Sequence, residues 1–242
     1  MSLTKNQFKL ITSLQQKKYR QKNHLFVAEG TKVVNELLNS SLKLDQLFCV
    51  NDSEYKNIEN KDLISEAVLK KISTLKSPNN VVAIFKMPEV LPLKKTGLIL
   101  VLDAINDPGN LGTIIRLCDW FGIDQLVCSM KTVDCYNSKV VQATMGSLAR
   151  VSIVYTDIEK YLMNTELPIF ASLMDGENVY KSSLPKQGVL VMGNEANGIS
   201  EAVLKLANNS ISIPRFGGVQ LTESLNVATA TAILLSEFKR LT

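Results

Sequence analysis

Five apolar runs beyond residue 97, Leu98 to Leu102, Gln125 to Cys128, Ile153 to Tyr155, Ile169 to Leu173 and Val189 to Met192, carry no polar alternation. A strand with one face in water alternates apolar and polar residues at a period of two. A run that does not alternate is covered on both faces, which is the condition of a strand in a parallel sheet flanked by helices. Helix-period stretches stand between several of the runs, at Leu111 to Phe121, Val140 to Ala149, Ile158 to Met163 and Glu201 to Ala207. A last helix over about Ser224 to Leu241 is rich in Ala and Thr, small enough for another element to approach closely as core or as a dimer interface. The pattern predicts an α/β fold with a mostly parallel sheet and helices on both faces.

Upstream, shorter strand-like runs (Leu25 to Ala28, Gln46 to Val50, Val81 to Phe85) alternate with helical stretches near Lys32 to Leu38 and Ile64 to Leu75, describing a small α/β domain. Pro88, Pro92, Lys94, Lys95 and Gly97 form a break that sets a linker at about 87–96, a first domain at 1–90 and a second at 97–242. Residues 1–90 hold 14 Lys and Arg against 9 Asp and Glu, a balance of +5, so they carry the whole of the chain's net charge of +4. Lys5, Lys9, Lys17, Lys18, Arg20 and Lys22 occur without one acidic residue among them. Two readings of this stretch stand: a surface that meets phosphates, or a solvated helix face.

Four cysteines at spacings that match no C-x-x-C pair, and a single histidine, argue against a structural metal cluster or a histidine-based catalytic triad, so no metal is expected. Neither a leader-like apolar segment nor a membrane-length apolar run is present, which reads as a cytoplasmic chain with reduced thiols and no membrane partner.

Parallel α/β sheets bind ligands beyond the carboxyl ends of their strands, and three such loops stand out. The first runs from Asp103 to Arg116; Pro108 and Gly109 stop the strand, Asn110 takes the N-cap position, and Thr113, Arg116 and Trp120 fall on a face away from the buried stripe. Arg116 at that place can hold a phosphate through two parallel bonds, or can simply pair with Asp119 or Asp103. The second, Gly193 to Ser200, has the glycine gap of a phosphate loop, but Ile199 stands where the phosphate-binding lysine is required, and no G-x-G-x-x-G follows any strand. Glu195 is its only carboxylate, either a site residue or, as the loop alone would favour, a solvated or helix-capping glutamate. The third runs from Ile211 to Val227, with Pro214, a Gly217-Gly218 bend, and Ser224 in position to cap the last helix.

Together, Asn110-x5-Arg116, the Gly193-Asn-Glu195 loop, and Ile213-Pro214 followed by Ser224-Leu-Asn226 resemble the three motifs of the SpoU (TrmH-type) RNA 2′-O-ribose methyltransferases of the SPOUT superfamily. Lys139-Val-Val-Gln-Ala-Thr-Met-Gly146 is similar to a further family segment. In the first domain, Lys9-Leu-Ile-x-Ser-Leu, Phe26-x-x-Glu-Gly30 and Ser77-Pro-x-x-Val-Val-Ala83 are similar to the family's substrate-binding module, a small ribosomal-protein-like RNA-binding domain. The resemblance implies a trefoil-knotted second domain, S-adenosylmethionine held in the knot, and a homodimer with active sites at the subunit interface. It assigns cofactor contacts to Gly193, Ile213 and Leu225, activation of the ribose hydroxyl to Arg116, and shaping of the pocket to Asn110, Glu195, Ser224 and Asn226. It turns the basic stretch toward RNA.

The expected activity is methyl transfer to a ribose 2′-OH, with ribosomal RNA favoured because tRNA members of the family usually lack the N-terminal module. A tRNA substrate is one alternative. A non-catalytic RNA-binding or ribosome-assembly protein of the same fold is another, weakened by the intact set of motif residues. The chain departs from the family in the spacing from Ile213 to Leu225, longer than in many members, so that Arg215 to Thr222 forms an extended loop; a simple loop insertion is the favoured reading, contact of Arg215, Phe216 and Gln220 with cofactor or substrate the alternative.

Overall fold

The structure is a computed structural model that describes residues 3–217 and 224–240, so the expected roles of Gly218, Gln220 and Thr222 lie outside the described residues. In chain order the elements are α1 (Lys5–Ser13), α2 (Lys17–Asn23), β1 (Leu25–Glu29), α3 (Thr31–Leu38), β2 (Leu44–Cys49), β3 (Lys61–Leu63), α4 (Glu66–Ile72) and β4 (Val81–Lys86). They continue with β5 (Leu98–Leu102), α5 (Pro108–Trp120), β6 (Gln125–Ser129), α6 (Ser138–Thr144), β7 (Ile153–Thr156), α7 (Ile158–Met163), β8 (Ile169–Asn178), β9 (Gly188–Met192), α8 (Glu201–Leu204), β10 (Asn209–Ser212) and α9 (Val227–Lys239).

The chain forms two compact units, one of residues 1–89 with 134–150 and one of 90–133 with 151–242. Residues 134–150, which the sequence division assigns to the second domain, group with the first because α6 packs on β1 and the Tyr136 ring lies 4.9 Å from that of Phe26. Val140, Val141 and Thr144 are buried there.

In the first unit, four strands lie in the order β1-β4-β2-β3; β4 is antiparallel to β1 and β2, while β3 runs parallel to β2. Ile11, Leu14, Val27, Phe48, Leu69 and Ile84 share one core. Thr4 opens α1 with a capping box: its hydroxyl accepts from the Gln7 N–H and the Gln7 side chain accepts from the Thr4 N–H. The buried Glu29 carboxylate is fully used, accepting from the Ser73 hydroxyl and from the N–H and hydroxyl of Thr74.

The second unit is built on a six-stranded sheet in the order β10-β8-β9-β5-β6-β7, every pairing parallel. The period of two assigns its faces. Ile99, Val101, Val127, Val189 and Val191 pack with Ile158 and Leu162 of α7 and Val203 of α8. The alternate positions point the other way, where the Phe170 ring meets Phe238 of α9 edge-on at 5.3 Å and α9 packs against α5. Helices therefore cover both faces, and all five residues of β5 are buried as its unbroken apolar run requires. From β5 the chain steps outward through β6 to β7, then returns to the other side of β9. The strand order reverses between β5 and β9, so the loops leaving these two strands open the crevice where such sheets take ligands.

Candidate active site

Helix α5 starts earlier than its apolar stripe suggests. Asp107 is the N-cap, its carboxylate accepting from the Asn110 N–H at 2.8 Å, and Pro108 fills the first helical position, where a missing N–H does no harm. Asn110 is thus not the cap. Its side chain stands clear of the backbone and reaches the β9 loop, donating from Nδ2 to Glu195 Oε1 at 2.9 Å. A similar correction applies to α9, which is capped by Asn226 and not by Ser224. Asn226 Oδ1 accepts from the N–H groups of Ala228 and Thr229, and its Nδ2 donates to Asn110 Oδ1 at 2.9 Å.

These bonds form one directed chain: α9 N–H to Asn226, Asn226 to Asn110, Asn110 to Glu195. Each amide has a single allowed orientation, because its oxygen must face a donor and its nitrogen an acceptor. The positive end of α9 lies at the head of the chain and the carboxylate at its end, so the polarity of every bond reinforces the next. Three residues from three separate motifs are brought together in this way.

Beside this chain lies a cavity of about 760 Å³, within the roughly 300–1,000 Å³ of small-molecule pockets. Gly193, Ile213 and Leu225 all line it, with Glu195 and Ser224. Glu195 is the one carboxylate and Arg215 the one guanidinium among the described lining residues; most of the rest are apolar. Gly193 is required by a close approach: a Cβ there would run into the backbone of Gly198 and Ile199, where Asn194 and Gly198 exchange both backbone bonds at 2.9 Å and close the loop. Met174 and Tyr180 also line the cavity and were not singled out from sequence. The polar stretch Asp175-Gly176-Glu177 gives no apolar signal for the strand extension that brings them there.

Arg116 stands apart. It is exposed on α5, about 9 Å along the axis from Asn110 at helical rise, and bonds to none of the other motif residues. Of its two alternative partners, Asp119 and Asp103, the latter accepts from the Ser200 N–H at 2.8 Å. Thr113 and Trp120 are exposed as the stripe predicts. Burial pushes the Cys118 thiol on the same helix well above the ordinary thiol range, which makes it a core side chain and not a nucleophile.

In the first unit, Lys5, Lys9, Lys17, Lys18 and Lys22 are exposed on α1 and α2. Arg20 is not part of that surface. It is 2% exposed, donating through Nε and Nη2 to Asp134 and through Nη1 to the carbonyls of Leu14 and Gln15 at 2.9 Å. The expectation that Arg20 meets RNA is corrected: its charge is spent inside the protein.

The SpoU rRNA Methylase family model matches residues 97–236. The chain belongs to this family. An MRM3-like substrate binding domain matches residues 5–83 of this SpoU-family protein. The 23S rRNA (guanosine(2553)-2′-O)-methyltransferase of Bacillus subtilis is 30% identical over 237 residues, 92% of this chain and 91% of that protein. A TrmH-family protein from Porphyromonas gingivalis superimposes with a TM-score of 0.90 at 35% identity, covering all of both chains. An AdoMet-bound rRNA methyltransferase from Sinorhizobium meliloti gives 0.87 at 30% identity over 100% of this chain and 97% of that one.

Proposed function

We propose that this SpoU-family enzyme transfers the methyl group of S-adenosylmethionine to a ribose 2′-OH of ribosomal RNA. The observation that carries the reading is the Asn226–Asn110–Glu195 chain at the edge of the cavity lined by Gly193, Ile213 and Leu225. The cavity suits the cofactor chemically: its apolar walls take the adenine, and polar groups stand among them for the amino-acid end. When bound, the cofactor supplies an electrophilic methyl group. A relative that matches the N-terminal residues as well as the methyltransferase domain is named for 23S rRNA, which favours ribosomal over transfer RNA.

The chain's own residues face a poor nucleophile. A ribose hydroxyl is a weak acid, so most of the acceleration comes from holding its oxygen in line with the methyl carbon. Glu195, fixed by the Asn110 amide, and Ser224 orient that oxygen. The 2′-oxygen would gain the methyl group as the methyl–sulfur bond breaks to leave a neutral thioether, and its proton would pass to a substrate phosphate or to water. Arg116 is a permanent cation and a poor general base; it stabilises the developing alkoxide or passes the proton to a substrate phosphate. Near wild-type turnover in Arg116→Lys, with only a shifted pH profile, would contradict this, because the paired guanidinium geometry would then be dispensable.

The reading includes a homodimer and a trefoil-knotted second unit. In favour of the dimer, Arg116 stands apart from the Asn226–Asn110–Glu195 chain within one protomer, as expected where the arginine completes the site of a second copy. Sedimentation showing a stable, fully active monomer would sink the shared site. The five exposed lysines of α1 and α2 are the RNA-facing surface of a ribosomal-protein-like unit. Among the described residues, no helix is long and apolar enough to cross a membrane.

A further inference from the structure

The Gly193–Ser200 loop carries Glu195, and α5 carries Asn110, so the reaction depends on the gap between two separate pieces of backbone. The two ends of the loop are fastened to two adjacent residues at the exit of β5. Asn194 donates from Nδ2 to the Ala104 carbonyl at 2.7 Å, and at the other end the Ser200 N–H donates to the buried Asp103 carboxylate at 2.8 Å. The Asn194 side chain also folds its own loop, its Oδ1 accepting from the N–H groups of Ala196 and Asn197.

Ala104 is the pivot of this arrangement. Its φ of 57° lies in the left-handed region, which an L-residue other than glycine rarely adopts and holds only when its surroundings demand it. Two side chains make that demand. Asn194 binds its carbonyl, and the Ser129 hydroxyl at the end of β6 accepts from its N–H at 2.9 Å, with Thr132 at 3.1 Å behind Ser129. The peptide that leads toward α5 is thus clamped between the Glu195 loop on one side and a core strand on the other.

We infer that Asn194 is a positioning residue: through Ala104, with Ser129 and Asp103 behind it, it sets the separation of Glu195 and Asn110 and so the alignment of the ribose hydroxyl. The inference rests on the methyl-transfer reading, and its test separates the two. Wild-type transfer to RNA is measured first; its absence with any RNA counts against the reading of function. With transfer in hand, Asn194→Ala, Asn194→Asp and Ser129→Ala are compared in the full chain for kcat, KM for RNA, calorimetric Kd for S-adenosylmethionine and melting temperature.

Misplacement by an ångström costs up to about 100-fold in rate. Asn194→Ala is therefore expected to lower kcat by about 10- to 100-fold. Ser129 does not line the cofactor cavity, so Ser129→Ala is expected to lower kcat several-fold with Kd for the cofactor unchanged. Asn194→Asp keeps the acceptor that folds the loop, loses the donor to Ala104, and sets a second carboxylate against Glu195, whose Oε2 also accepts from Asn194 Nδ2 at 3.4 Å. It is expected to stay impaired at pH 8 and to recover relative to wild type as pH falls and its carboxyl gains a proton to donate. The inference is overturned if Asn194→Asp restores full kcat at pH 8, since the loop-folding bonds alone would then suffice. It is equally overturned if Ser129→Ala lowers the melting temperature and leaves kcat untouched.

Discussion

Replacing Arg20 with alanine separates two views of the basic N-terminal stretch. As a surface cation, Arg20 would contribute a few tenths of a kcal/mol to stability, and its loss would weaken RNA binding. The structure assigns it the opposite role. Its side chain is 3% exposed and that of Asp134 13%, and the guanidinium donates both to this carboxylate and to two backbone carbonyls. Removing one partner of a largely buried pair leaves the other poorly solvated, at a cost of about 3–5 kcal/mol. For a unit of roughly a hundred residues, each kcal/mol lowers the melting temperature by about 4 °C, so Arg20→Ala should melt roughly 12–20 °C lower. The assay is urea and thermal unfolding followed by circular dichroism, with Lys18→Ala as the exposed control, expected within about 0.5 kcal/mol of wild type. If Arg20→Ala kept its unfolding midpoint and lost RNA affinity, the buried-pair argument would be refuted.

Changing Lys5, Lys9, Lys17, Lys18 and Lys22 to glutamate should weaken RNA binding and flatten its salt dependence while leaving cofactor affinity within about twofold, as fluorescence anisotropy and calorimetry would report. Charge reversal is the cleaner experiment than deleting 1–90, which would uncover the buried side of α6. Gly193→Ala should lower cofactor affinity at least about tenfold, because the new methyl group meets fixed backbone at Gly198 and Ile199; unchanged affinity would mean the loop is not part of the cofactor site. Burial pushes the phenols of Tyr55 and Tyr161 up from 10 to about 12. The unfolded chain therefore loses these protons before the folded one, and stability should fall as pH rises from 10 to 12, seen as a declining urea midpoint.

The core of the second unit was legible because it is written in contiguous residues. Leu98 to Leu102 is buried throughout, as an unalternating run must be, and Ile158–Met163 forms the helix its period predicts. Helix starts are less legible, since several residue types can cap. Pro108 reads as a strand stop when the sequence is scanned forward, yet it is equally at home in a first helical turn, and Asp107 before it is the cap. Strand β3 is three residues of mixed polarity, too short for any period to show. What sequence could not convey is pairing across the chain. Nothing near Arg20 signals that Asp134 will cover it, and nothing near 134–150 signals packing on β1. The three motifs named the residues of the site, but the order of donation from Asn226 through Asn110 to Glu195 follows from how α9, α5 and the β9 loop converge.

The most direct test is methyl transfer itself. Purified protein is incubated with labelled S-adenosylmethionine and total RNA from cells that lack it, and the modified nucleotide is mapped, with Arg116→Ala and Asn110→Ala alongside. The expected result is a single 2′-O-methylated ribose in ribosomal RNA, lost or strongly reduced in both variants although each still binds the cofactor. Label on a base, or equal transfer by the variants, would contradict the assignment of this site.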